Sequence, residues 1–253
     1  MFFKLDENPS KPKWGGTRIY PYTSKEAPIN AFTSFAKTAP FDPKAALILS
    51  FGYALGQWLS STDVEYADPI SSTDLPPIFS GFQTTIMDTT KVSYLADLTS
   101  QLRALNSNGL RETYWTATYR LNDTLAEFIA ITTAMTSHMS QNGGNALGLS
   151  PEDGPLILLD LSIRWSNKSD DEATMRATAN LLSKAAAQAK ARGLEHRYLC
   201  MNYASEFQDM ISSYGEENRQ RLSDVARRYD PQGVFQRLQP KYFKLDGGLR
   251  TGL

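Results

Sequence analysis

The chain has 253 residues, 41% of them apolar and 21% charged, which is the make-up of a folded globular protein and not of a disordered one. A net charge of −1 gives no global attraction to nucleic acid or to an anionic membrane. One cysteine, Cys200, excludes an internal disulfide, and no run reaches the ~18 apolar residues of a membrane span, so a cytoplasmic protein is expected.

In chain order, residues 1–13 read as an N-terminal extension without an apolar signal core. Gly16 to Tyr22 reads as a strand, and Ser24 opens a helix with Ile29, Phe32 and Ala36 on one face. Ala45–Ala54 and Gln57–Tyr66 read as two long strands that can pair only as a hairpin. Pro76 to Phe82 suggests a short helix. Val92 to Leu105 is amphipathic through Leu95, Leu98, Leu102 and Leu105, and the turn residues 106–109 end it. Thr113 to Tyr119, Phe128 to Thr133 and Pro155 to Trp165 read as strands. Asp170 to Arg192 and Glu216 to Tyr229 read as helices, with a last strand at His196 to Tyr203 between them.

Strands with two unlike faces indicate an α+β fold, a largely antiparallel sheet with helices packed on one face, instead of a parallel sheet covered on both sides. In Pro155–Trp165, alternation sends Ile157, Leu159, Leu161 and Ile163 to the helices. Asp160, Ser162 and Arg164 turn the other way. Thr113, Trp115 and Tyr119 share one side of their strand, and Asn202 shares a side with His196, Tyr198 and Cys200. Such a face is either solvated with scattered aromatics or the wall of a small-molecule pocket.

Other chemistries have little support. Neither G-x-G-x-x-G nor a Walker A loop occurs, and Gly143-Gly144 follows a helix instead of opening one. Two histidines and one cysteine make a metal site unexpected. There is no G-x-S-x-G elbow; His138 and His196 read as structural, and Cys200 as core.

Several motifs resemble one family. Trp14 to Tyr20 (WGGTRIY), Gly109 to Thr118 (GLRETYWTAT) and Asn142 to Leu149 (NGGNALGL) are similar to substrate-domain segments of fungal berberine-bridge-enzyme-like oxidases. The tail is more specific: YLCMNY at Tyr198–Tyr203, then Tyr214-Gly215, Asn218, Arg221-Leu222, Tyr229-Asp230-Pro231, Val234-Phe235 and Gln239. The resemblance implies one substrate-binding domain over 14–248, with the family's C-terminal segment at about 196–243 and a tail at 249–253. It also implies a two-domain FAD enzyme of the vanillyl-alcohol-oxidase type, with Asn202 and Tyr203 near the flavin ring and the sheet side away from the helices facing it. Two departures stand out. No Ser-Gly-Gly-His or Gly-x-Cys attachment loop is found, and no counterpart of the FAD-binding domain. Only Asn122 to Glu127 link two strands where a helix-length stretch is expected.

The leading expectation is therefore a cofactor-independent enzyme of fungal secondary metabolism, with no FAD, that cyclises or rearranges a small organic substrate in the vacated cavity. A non-catalytic binding protein and half of an FAD-linked oxidase completed by another chain are the alternatives. Asp160, Arg164, Tyr119 and Tyr203 are the candidate catalytic residues; Trp115, Thr113, Ser162, Asn202 and Thr132 are the candidate substrate-binding ones. A structural ion pair between Asp160 and Arg164 is the plainer account of those two. A homodimer is expected, with no nucleic-acid or membrane partner.

Overall fold

The structure is a computed structural model that describes residues 11–37, 42, 44–54, 56–71, 74–75, 79, 85–104, 109–121, 129–238 and 243–245. Its strands are β1 (Lys13–Pro21), β2 (Ala45–Ala54), β3 (Gln57–Tyr66), β4 (Met87–Asp88), β5 (Lys91–Ser93), β6 (Arg111–Arg120), β7 (Ile129–Ile131), β8 (Leu156–Trp165) and β9 (Glu195–His196). Its helices are α1 (Glu26–Lys37), α2 (Leu95–Ala104), α3 (Thr133–Ser137), α4 (Asp171–Ala191), α5 (Met210–Ser213), α6 (Glu216–Tyr229) and α7 (Val234–Leu238). The expected helix at 76–82 (except Phe79), the turn residues 106–108, the link 122–127 and the tail 249–253 lie outside the described residues. The chain forms two compact units, residues 1–108 with 121–134, and residues 109–120 with 135–253.

In the first unit the strands run β4-β1-β3-β2-β7, with β5 also on β1, and the pairings are antiparallel. The β2–β3 hairpin forms as its sequence predicts, in full register from Ala45↔Tyr66 to Ala54↔Gln57. Leu47, Leu49 and Val64 share one face, and Phe32 and Phe35 of α1 are buried with them. Pro28 is tolerated because it sits in the first turn of α1, where its missing N–H has no partner to lose. Gly16 is required: its φ is +149°, and a Cβ would fall 2.7 Å from the Thr89 carbonyl oxygen. The opposite face carries Asp63 and Glu65, paired across to Thr17 and Gly15.

In the second unit β6 lies between β8 and β9, again antiparallel. β6 and β8 pair over their whole length, from Arg111↔Trp165 to Arg120↔Leu156. α4 packs against them, and its start is fixed by Asp171, which accepts from Trp165 Nε1 at 2.8 Å and from the Arg111 guanidinium at 2.6 Å. These contacts identify the odd-numbered side of both strands as the helix side. The last expected strand is corrected: β9 covers Glu195–His196, and the chain then leaves the sheet, ending in a 3-10 turn at Met201–Tyr203. Side-chain bonds hold this segment in place of a ladder. Leu199 N–H donates to Ser213 Oγ at 3.0 Å, and Tyr198 stacks on Tyr214 with ring centroids 5.9 Å apart.

Candidate functional site

Directly opposed residues of an antiparallel pair project to the same face. The β6–β8 register therefore sorts every candidate on the two strands. Glu112↔Arg164, Tyr114↔Ser162, Thr116↔Asp160 and Thr118↔Leu158 form four rows on the face away from α4. Thr113↔Ile163, Trp115↔Leu161 and Tyr119↔Ile157 lie on the helix side. The expected wall of Trp115 and Tyr119 beside Asp160 and Arg164 is thus corrected. Thr113, Trp115 and Tyr119 are buried on the other face. Trp115 stacks on Phe207 at 5.9 Å and 9°, while burial, then the Glu195 charge, pushes the Tyr119 hydroxyl up to about 12.

Burial falls steadily along the far face. Leu156, Leu158, Thr116 and Thr118 are fully covered, Asp160 is half-buried, and Ser162 and Arg164 are exposed. Asp160 stands at the boundary, and its Oδ1 is buried with no hydrogen-bond partner. Removing a carboxylate from water without a partner favours its neutral form. Burial, followed by the nearby charge of Glu112, pushes the Asp160 carboxyl up to about 7. Arg164 does not pair with Asp160, so the ion pair allowed by the sequence is absent. Its Nε donates to Glu112 Oε1 at 2.6 Å, and Ser162 Oγ donates to the same oxygen at 3.1 Å. Burial works to raise the Glu112 carboxyl, but the bonds from Arg164, Tyr114 and Ser162 outweigh it and hold Glu112 below the usual carboxylate range. Tyr203 packs near this face, its ring 6.4 Å from that of Tyr114, and burial, then the Asp160 charge, raises its hydroxyl.

The outcome is a near-neutral acid beside two tyrosines and an anchored Glu112–Arg164 pair. Asn202 is exposed on the 3-10 turn, so the strand alternation that linked it to His196 does not apply. Thr132 is buried just past β7, in the first unit. Glu112 and Tyr114 are site residues that alternation within β6 did not single out. Only pairing with β8 brings them beside Asp160. Asp63 and Glu65 were also passed over, although two carboxyls at alternate positions of a strand (SSTDVEY) are a readable signal. Burial, then Asp63, pushes Glu65 up to about 7.

His196 is structural, as expected. Its Nδ1 accepts from Tyr198 N–H at 3.2 Å, which places the ring proton on Nε2, 3.1 Å from Asp153 Oδ1. Among the described residues no group of three or more His, Cys, Asp or Glu side chains could hold a metal, and no helix is long and apolar enough to cross a membrane.

In the second unit the β6–β8 pair thus carries α4 on one face and Asp160 on the other. In sequence the chain is similar to fungal proteins named FAD-dependent monooxygenases, and in fold to solved structures of flavin-oxidase and BBE-like proteins. It is 30% identical over 282 residues to the FAD-dependent monooxygenase FUP4 of Fusarium proliferatum, covering 96% of this chain and 54% of that protein. It is 29% identical to the FAD-dependent monooxygenase tpcD of Cochliobolus heterostrophus, with the same coverage of 96% and 54%. The chain thus spans about half the length of these relatives. No protein-family profile matches it. Among solved structures, 6-hydroxy-D-nicotine oxidase of Arthrobacter nicotinovorans superposes with a TM-score of 0.62 at 14% identity, over 93% of this chain and 55% of that one. The BBE-like 1 protein of Physcomitrella patens also gives 0.62, at 13% identity, over 90% and 53%. At such identities these two structures show the fold alone.

The flavin in the relatives' names can be tested against the residues present. Tyr114, Tyr203 and the free Asp160 oxygen suit one side of a flat heteroaromatic ring. A diphosphate is another matter, since it seeks a helix N-terminus free of negative charge. Among the described residues α1, α2, α4 and α6 all carry acids in the first turn: Glu26; Asp97; Asp171 and Glu172; Glu216 and Glu217. These helix starts do not fit FAD's phosphates.

Proposed function

We propose that this chain is an enzyme of fungal secondary metabolism that binds a small organic molecule on the far face of β6 and β8 and promotes its non-redox cyclisation or rearrangement, with no FAD of its own. One observation carries the proposal: the half-buried Asp160 carboxyl, with an unpartnered buried oxygen and a pKa of about 7. An acid so poised takes a proton from an acidic C–H or O–H and returns it elsewhere on the same molecule, leaving no net redox change. Such catalysis contributes ~10²–10⁴-fold, and holding a flexible substrate in a reactive shape can add ~7–11 kcal/mol. Tyr203 and Tyr114 are the flanking hydroxyls that can orient a carbonyl, and Ser162 and Arg164 border the entrance. A homodimer in the cytoplasm is part of the proposal; light scattering on the 28.2 kDa chain checks the dimer, a strict monomer at high concentration counting against it.

The second reading is an FAD-linked oxidoreductase in which the same face meets the flavin ring while another polypeptide segment or chain holds the phosphates. The relatives' names and the half-length coverage favour it. Purification separates the two. The proposal expects a colourless protein that gains no flavin absorption with FAD and converts its substrate without added cofactor. Stoichiometric FAD released on denaturation would replace it with the oxidase reading.

A further inference from the structure

In the first unit the β2–β3 hairpin runs on past its cover. Leu47, Leu49 and Val64 are buried on its α1 side, and strand alternation puts Phe51, Tyr53 and Trp58 on that same side further along. β1 stops pairing with β3 at Leu59, so the rows Tyr53↔Trp58 and Ala54↔Gln57 stand beyond it. There Tyr53 is 64% exposed and Trp58 57%, while Tyr22, in the turn before α1, is 38% exposed. The rings touch in series. Tyr53 meets Trp58 at 5.6 Å, Trp58 meets Tyr22 at 6.1 Å, and Tyr22 meets Phe51 at 6.1 Å. An aromatic side chain carries ~150–250 Å² of surface, so the three exposed rings show ~240–400 Å² to water. Apolar patches of ~300–600 Å² are often functional. Charge also sets this surface apart: 21% of the chain is charged, yet none of residues 45–62 is. At the rim Lys25 lies over the Tyr22 ring at 4.5 Å, and Glu26 follows it in sequence.

We propose that this aromatic hairpin end is the surface on which a second copy of the chain docks, ring cluster against ring cluster about a two-fold axis. The inference rests on the dimer proposed above and names its contact. A two-fold contact sets a patch against itself, so a charge close to the axis meets its own sign. A hairpin without charges escapes that penalty. Tyr and Trp are also enriched at the buried centre of protein interfaces. The exposed apolar residues of the last helices suit self-docking less. Val225 and Tyr229 have Arg227 and Arg228 between them in sequence, and Arg237 lies between Phe235 and Leu238. Trp and Tyr also favour a membrane surface, but attachment there draws on Lys and Arg beside the apolar face. Here Lys25 is offset by Glu26. A standard interface buries ~800 Å² per partner. The exposed rings supply about half of that at most, so the dimer is expected to dissociate on dilution.

The test is analytical ultracentrifugation of the full chain over a dilution series, for the parent, Tyr53→Glu, Tyr53→Lys and the control Leu238→Glu. The parent is expected to pass from dimer to monomer on dilution. Each Tyr53 variant should move that midpoint to ~10-fold higher concentration or more, the scale of one lost anchor residue, while Leu238→Glu leaves it in place. Mixing Tyr53→Glu with Tyr53→Lys should restore association, because the two-fold then brings opposite charges together. An unfolded variant cannot be rescued by mixing, so the mixture separates a lost surface from a lost fold. No rescue on mixing, or a dimer indifferent to both Tyr53 variants, overturns the inference and leaves the dimer itself standing. A parent that is monomeric at every concentration removes the dimer and its surface together, without touching the chemistry proposed for Asp160. A monomeric parent that binds phosphatidylcholine vesicles, and loses that binding in Trp58→Ala, would assign the patch to a bilayer and overturn the inference.

Discussion

At Asp160 two opposing demands meet, since the side chain must be dry enough to hold its proton near neutrality and open enough to reach a substrate. Asp160→Asn keeps the shape, removes the proton exchange, and is expected to slow turnover by ~10²–10⁴-fold with little change in KM. The Glu112–Arg164 pair makes a second, signed prediction. Glu112→Gln removes a negative charge that raises Asp160, so the pH–rate midpoint should move to lower pH. Arg164→Met leaves Glu112 without its guanidinium, and the midpoint should rise. Midpoints that stay put in both variants would detach Glu112 from the site. On the helix side the expectations differ in kind. Trp115→Ala empties a buried position stacked on Phe207 and should cost ~3–5 kcal/mol of stability. Trp115 Nε1 has no partner to lose, so Trp115→Phe should cost less than ~1.5 kcal/mol in a denaturant titration and leave turnover intact.

Elements were more legible in the sequence than the pairing between them. The β2–β3 hairpin, β6, β8, α4 and α6 could be read from periodicity and turn residues, because each side chain's preference there is local. The helix side of β8 was readable for the same reason: Ile157, Leu159 and Ile163 alternate with Asp160, Ser162 and Arg164. Which residues of β6 share a face with Asp160 was not readable, since a one-residue slip exchanges the two faces and only the partner strand fixes the register. Trp115 was therefore grouped with Asp160, and Glu112 was missed. The segment after His196 failed for another reason: its apolar residues are buried by Ser213 and Tyr214 contacts, not by a ladder, so β-like composition did not produce a strand. Gln208 completes that arrangement. Its carboxamide bonds Thr116 twice and also accepts from Ser205 N–H at 3.0 Å, pinning the 205–208 turn to the strand edge. Gln208→Leu leaves buried Thr116 groups unpaired, at ~1–3 kcal/mol each. The variant should melt at lower temperature, and hydrogen exchange at Thr116 should quicken more than at Trp115, whose amide faces β8.

For the whole molecule, the perturbed carboxyls govern how stability follows pH. Asp160 and Glu65 are each pushed up to about 7, by burial first and by Glu112 and Asp63 respectively. In the unfolded chain such groups ionise near ~4. Between those values the folded protein keeps protons that the unfolded chain has released, so stability falls as pH rises from ~4 to 7 and then levels off. His196 works the other way. Burial lowers its pKa, so its neutral form costs stability as pH drops below ~6.5. Glu112 and Asp153, held below their ordinary values, contribute stability that is lost only at more acidic pH. Asp63, which burial also raises, adds to the fall, and three falling contributions against one rising one give a decline above pH ~4. Replacing two of the raised acids by amides, Asp160→Asn with Glu65→Gln, reduces that decline and leaves the part due to Asp63. The gain in thermal midpoint over the parent should be near zero at pH 4, grow through pH 7, and stay constant above it. Partial exposure of both groups screens the effect, so a total of ~1–2 kcal/mol is expected on the alkaline plateau. A gain independent of pH would mean that these carboxyls carry no charge penalty in the fold, and the near-neutral acid on which the proposed chemistry depends would go with it.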